Sequence, residues 1–143
     1  MGDMFKKILV ATDGSENSRM AAEEAIKIAR AMGSSVYAIY VVDTSVLTSA
    51  TLGEEETYIY RTLKDEGKRA LDRIRSMASD VNVETNLIEG KPATAITDFA
   101  SKNGIDLIVV GSQGKSKIEA LLLGSVADRV IRTAKCPVLV VKS

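Results

Sequence analysis

The sequence predicts one α/β domain, a doubly wound open sheet of five parallel strands covered by helices on both faces. Three observations predict it. Short apolar runs alternate with longer stretches of helical periodicity in the order β-α-β-α-β-α-β-α-β. Each parallel crossover must be right-handed, which sends helices to both faces of the sheet. At 143 residues the chain has the size of one ordinary domain, and no linker, internal repeat or low-complexity tract divides it.

The first strand is KKILVATD, residues 6–13, an apolar run ended by an Asp-Gly turn. Ser15 then caps a helix over 16–32, where Ala21, Ala22, Ala25, Ile28, Ala29 and Met32 recur on one side, and Gly33 closes it. The second strand, SVYAIYVVD at 35–43, is apolar on both faces, as a central parallel strand should be. A polar stretch over 44–57 leads into a long helix from about 54 to 78, acidic in its first turn. VNVETNLI, 81–88, alternates apolar and polar and suits a strand near a sheet edge. Pro92 opens a helix over 92–103 and Gly104 ends it. IDLIVV, 105–110, is the most continuous apolar run and reads as a buried strand. A helix over 125–134, N-capped by Ser125, and a last strand in CPVLVVK complete the chain.

Composition narrows the function classes. Hydrophobic residues make up 45% and charged residues 27%, a soluble globular balance, and with aromatics at 4% the core must be built from Val, Ile, Leu and Ala. Nineteen basic and nineteen acidic residues give zero net charge, so neither nucleic acid nor a membrane is an expected partner. The charge is uneven, however: residues 111–143 hold six bases and two acids, and this basic third invites a search for an anion site. With no histidine, Ser-His-Asp and Cys-His chemistry and all His-dependent metal sites are excluded. The single Cys136 forms no internal disulfide and no zinc or redox pair. The N-terminal apolar run is too short for a signal or a span, and the expected location is cytoplasmic.

Ligands of such sheets sit beyond the carboxyl ends of the strands, where the strand order reverses. Those ends hold Asp13, Asp43, Glu89 with Gly90, and Gly111. After the fourth strand comes Gly111-Ser112-Gln113-Gly114, then nine residues, then Gly124-Ser125 at a helix start. Bare backbone N–H groups suit a phosphate chain, and a Cβ at a glycine would stand between the amides and the oxygens. The helix beginning at Ser125 adds unpaired N–H groups, a dipole and a hydroxyl. Lys115 and Lys117, between the two glycine segments, would raise the local potential. A Walker A loop is ruled out, because its first glycine would fall on Val109 inside a strand. The dinucleotide fingerprint fails as well, since the first strand-to-helix turn has only Gly14. A mononucleotide is the expectation.

ILVATDGS, the strand ending YVVD, and Gly111-x2-Gly114-x9-Gly124-Ser125 before the final CPVLVV together resemble the universal stress protein family, over essentially all of residues 1–143. The resemblance implies a sheet of order 3-2-1-4-5, a homodimer, and, for the branch with these glycines, ATP binding in a stress response. It places adenine against the backbone of Val41 and the ribose and phosphates near Thr12 and Asp13, with Ala11 among the ATP-binding positions. Gly111, Ser112, Gly114, Gly124, Ser125 and Val126 then surround the triphosphate. Gln113 stands where relatives often carry Arg or His, and Ala127 where many carry Thr.

A carboxylate at Asp13 near a triphosphate calls for Mg²⁺ or Mn²⁺ between them, with Asp13 an indirect ligand. The final strand is a candidate edge that a twofold mate would cover. The functional expectation is an ATP-dependent regulatory switch without evident catalytic machinery. Two rivals stand beside it: a slow metal-dependent ATPase in which Asp13 orients water or metal, and a nucleotide-free dimerisation scaffold whose glycines are turns. A receiver domain also ends its first strand in Asp, but here Thr12 precedes Asp13 and the third strand runs into Glu89-Gly90, which disfavours it.

Overall fold

The strands pair in the order β3-β2-β1-β4-β5, all parallel, so the order reverses between β1 and β4. The computed structural model describes residues 4–45, 54–114 and 123–143, leaving aside the side chains of 54–57. Most of the polar stretch 44–57, together with Lys115, Lys117, Leu121 and Leu122, lies outside the described residues. The elements are β1 (Lys7–Thr12), α1 (Glu16–Met32), β2 (Ser35–Asp43), α2 (Glu54–Arg75), β3 (Val83–Gly90), α3 (Pro92–Lys102), β4 (Leu107–Gly111), α4 (Ser125–Thr133) and β5 (Val138–Val141).

Alternation along the strands sorts side chains onto two faces. Ile8 and Val10 of β1, Val36, Ala38, Tyr40 and Val42 of β2, and Leu107 and Val109 of β4 meet α1 and α2. Leu9, Ile39, Ile108 and Val110 point the other way and meet α3 and α4. The three inner strands, β2, β1 and β4, are buried on both faces for this reason, and β3 and β5 are the edges, β3 as its alternating pattern predicts.

Local chemistry fixes the ends of α1. The Ser15 side chain accepts the N–H of Ser18 at 3.2 Å, and the chain leaves at Gly33, whose φ of 71° is the left-handed conformation glycine adopts most readily. A stripe of alanines at 21, 22, 25 and 29, all buried, lets α1 lie close to the sheet. The approach of α2 depends on Gly67: a Cβ there would stand 2.5 Å from Leu87 and 2.7 Å from the Tyr40 ring.

Several boundaries differ from expectation. The long helix ends at Arg75 rather than 78, where a turn through Ser76 and Met77 takes over. β3 runs over 83–90 rather than 81–88, because its start is set by pairing of Val83 with Val36 and its end by pairing of Gly90 with Asp43. β4 starts at Leu107 rather than 105: Ile105 N–H closes the end of α3 on Ala100 O, and the Asp106 side chain accepts from Lys7 N at 2.9 Å. The α4 N-cap is Gly124, not Ser125, which is the first helical residue, and no side chain caps it. None of the described helices is long and apolar enough to cross a membrane.

Candidate functional site

The turn from β1 into α1 is held by a relay of hydroxyls. Ser18 Oγ donates its one proton to Ser15 O at 2.9 Å, so the 2.9 Å bond between Thr12 and Ser18 uses the Thr12 proton. Thr12 Oγ1 in turn accepts Gly14 N–H at 3.1 Å. Asp13 Oδ1 accepts Ser15 N–H at 2.9 Å, which ties its half-buried carboxylate to the turn.

Alternation then decides which strand-end side chains can share a ligand. Ala11 and Val41 belong to the α3/α4 face, and Asp13 follows Ala11 in phase. Thr12 falls on the α1/α2 face with Val10, is buried, and has its hydroxyl committed to Ser18 and Gly14. The Thr12 hydroxyl therefore builds the turn. Asp43 accepts from the backbone and hydroxyl of Ser45, and Glu89 accepts the Tyr60 hydroxyl. That bond to a carboxylate, chiefly, raises the Tyr60 pKa. Both acids lie on strands away from the reversal, and both are engaged within the protein.

The two glycine segments converge. Gly124 N–H donates to Ser112 O at 2.5 Å, and a Cβ on Gly124 would stand 3.2 Å from Ser112 O, 3.3 Å from Gln113 Cα and 3.6 Å from Gly114 N. Gly114 in turn faces Asp13, whose Oδ2 lies 2.8 Å from where a Cβ would be. Asp13, the Gly111–Gly114 loop and the start of α4 therefore form one cluster. Ser125 and Val126 are exposed at that helix start, where a helix leaves its first backbone N–H groups without intrahelical partners. Ala127 points inward and is buried in the core against the sheet, so a hydroxyl at that position would begin among apolar side chains.

Sequence reasoning passed over Asn17. It is 2% exposed, its Nδ2 donates to Val141 O at 3.1 Å, and its Oδ1 accepts Gln113 N–H at 2.7 Å. Ser112, buried beside it, donates its N–H to Val141 O and places its hydroxyl 3.4 Å from the same amide oxygen. The available signal was an asparagine in line with Ala21 and Ala25, four and eight positions on, within the buried alanine stripe of α1. A cavity of about 270 Å³ opens at the end of β1 on the α1/α2 side, lined by Thr12, Ser15, Glu16, Arg19, Arg73 and Met77. It is separate from the glycine cluster.

The universal stress protein family model matches residues 4–142. The chain belongs to the universal stress protein family. Among its relatives in that family, universal stress protein MJ0531 of Methanocaldococcus jannaschii is 47% identical over 142 residues, covering 98% of this chain and 84% of that protein. The solved structure of protein MJ0577 from the same organism superposes with a TM-score of 0.90 at 32% identity, covering 98% of this chain and 97% of that one. A universal stress protein from Archaeoglobus fulgidus, solved in complex with dAMP, has a TM-score of 0.67 at 27% identity over 97% of this chain and 99% of that one. The shared fold is the five-stranded parallel sheet of order 3-2-1-4-5.

Proposed function

We propose that this universal stress protein binds ATP at the carboxyl ends of β1, β2 and β4 and acts as a nucleotide-dependent regulatory switch. One observation carries the reading: two glycine segments nine residues apart converge at the start of α4 beside Asp13, which is distant in sequence from both. The helix start supplies backbone donors for phosphate oxygens, with Ser125 and Val126 exposed there. Ala11 and Val41 lie on the same face of the sheet, and adenine would lie against the backbone of Val41. The dAMP complex of the Archaeoglobus fulgidus relative supports adenine as the base.

A Mg²⁺ or Mn²⁺ ion belongs to the proposal. Among the described residues no three His, Cys, Asp or Glu side chains gather into a metal group. The ion would therefore take its ligands chiefly from phosphate oxygens and water, with the Asp13 carboxylate nearby. A homodimer through β5 is the proposed assembly, since β5 is an edge strand and Leu139 on it is exposed. A cytoplasmic home fits the one unpaired cysteine, half-buried Cys136, whose thiol pKa is raised chiefly by burial.

The test is to purify the protein, denature it and identify by mass spectrometry any small molecule released, then to measure the melting temperature with millimolar ATP and Mg²⁺. Release of an adenine nucleotide, or a rise of several degrees, supports the reading. An empty protein whose melting temperature does not move with ATP overturns it.

A further inference from the structure

We propose that Asn17 is the positioning residue of the Gly111–Gly114 loop, and that Gly111 is a glycine to make room for Asn17 rather than for phosphate. The inference deepens the nucleotide reading and rests on it. The phase of β4 decides which way position 111 faces. Leu107 and Val109 belong to the α1/α2 face, so the missing side chain of Gly111 points toward α1, away from the face that holds Ala11, Val41 and α4.

A Cβ built on Gly111 would stand 2.7 Å from Asn17 Oδ1 and 2.9 Å from its Cγ, with the Asn17 carbonyl oxygen at 3.1 Å. The φ of Gly111 is not in the left-handed region, so space alone excludes a side chain there. Asn17 fills that space with an amide whose two ends do different work. Its oxygen holds Gln113 N–H, and its NH₂ holds Val141 O, the carbonyl that also accepts Ser112 N–H. The loop, the end of β5 and the first turn of α1 are thereby joined through one buried side chain. Loss of the amide removes the Asn17 acceptor of Gln113 N–H and loosens the loop at that point. A sub-ångström shift of a phosphate-binding loop is enough to weaken its grip.

A double-mutant cycle on the full chain tests this. Wild type, Asn17→Ala, Gly111→Ala and the double variant are titrated with ATP and Mg²⁺ at 10 °C, where circular dichroism establishes that each is folded. Each single substitution is expected to weaken ATP binding about tenfold or more, and the double far less than the product of the two, because the closest contacts of a Cβ at 111 are with the amide already removed and only the 3.1 Å contact to the Asn17 carbonyl oxygen remains. Additive losses overturn the proposal. So does an Asn17→Ala variant that melts earlier but binds ATP as the wild type does, the result of a purely structural role.

If Asn17→Ala does not fold, amide exchange in the nucleotide-free wild type decides. A protected Gln113 N–H is expected, and a freely exchanging one overturns the inference. The two readings fail differently: a wild type that never binds ATP removes both, whereas a wild type that binds with an additive cycle removes only the role of Asn17.

Discussion

Oδ2 of Asp13 lies 2.8 Å from the point where a side chain on Gly114 would begin. The carboxylate that ends β1 and the second glycine of the spaced motif thus share one small volume, although 101 positions separate them in the chain. Anything larger than hydrogen at 114 must push Asp13 out of line or move the loop. Gly114→Val is expected to lower ATP affinity by roughly tenfold to a hundredfold while far-UV circular dichroism stays that of the wild type, a range set by about 1.4 kcal/mol per factor of ten. Isothermal titration reads it, and unchanged affinity would show that the loop is a plain turn.

The same carboxylate repels a metal-free triphosphate. ATP binding by the wild type is expected to strengthen with Mg²⁺ or Mn²⁺, and the dependence should flatten in Asp13→Asn. Titrations with and without a chelator measure this, and a phosphate-release assay on the same two proteins separates a binding switch from a slow ATPase. Equal metal dependence in both proteins removes Asp13 from the metal's surroundings.

Thr12→Val keeps the shape of the side chain but breaks the relay from Gly14 N–H through Thr12 to Ser18. Because Thr12 is buried, the stranded groups cost about 1–3 kcal/mol. Urea denaturation should show this loss, and a variant as stable as the wild type would mean the relay contributes little.

Gly67→Ala sets two effects against each other. Alanine is better than glycine within a helix by about 1 kcal/mol, but overpacking against Tyr40 and Leu87 costs about 1–3 kcal/mol. Steric crowding outweighs the gain in helix propensity, so urea denaturation should show a net loss of about 1 kcal/mol. A stabilised variant would show that the Tyr40 ring yields easily.

The Arg30 guanidinium donates to both oxygens of Asp80, and that bond holds the Asp80 carboxyl below its ordinary value. A depressed folded-state pKa means that the stabilisation is present above the unfolded value of 3.8 and is lost as pH falls through the lower folded value. Both side chains are about half exposed, so salt screens the pair. A carboxyl NMR titration should place Asp80 higher in Arg30→Gln than in the wild type and bring the two together at high salt. Identical titration in both proteins at low salt would show that the pair does not hold in solution.

The amino-acid sequence by itself determined the element order, the buried patterns of β2 and β4, the half-exposed pattern of β3, the Ser15 cap, the Gly33 stop and the two glycine segments. Each of these follows from neighbours a few residues apart, through side-chain periodicity, capping and turn chemistry. The β3 and β4 boundaries were less legible, because pairing with β2 and the hydrogen bond from Lys7 to Asp106 join residues far apart in the chain. Tertiary structure alone decided that Thr12 turns away from the cluster holding Asp13, that Gly67 yields space to Tyr40, and that Asn17 reaches across to Val141 and Gln113. Those relationships depend on which face of the sheet each residue meets once the strands have paired, and local sequence does not carry that register.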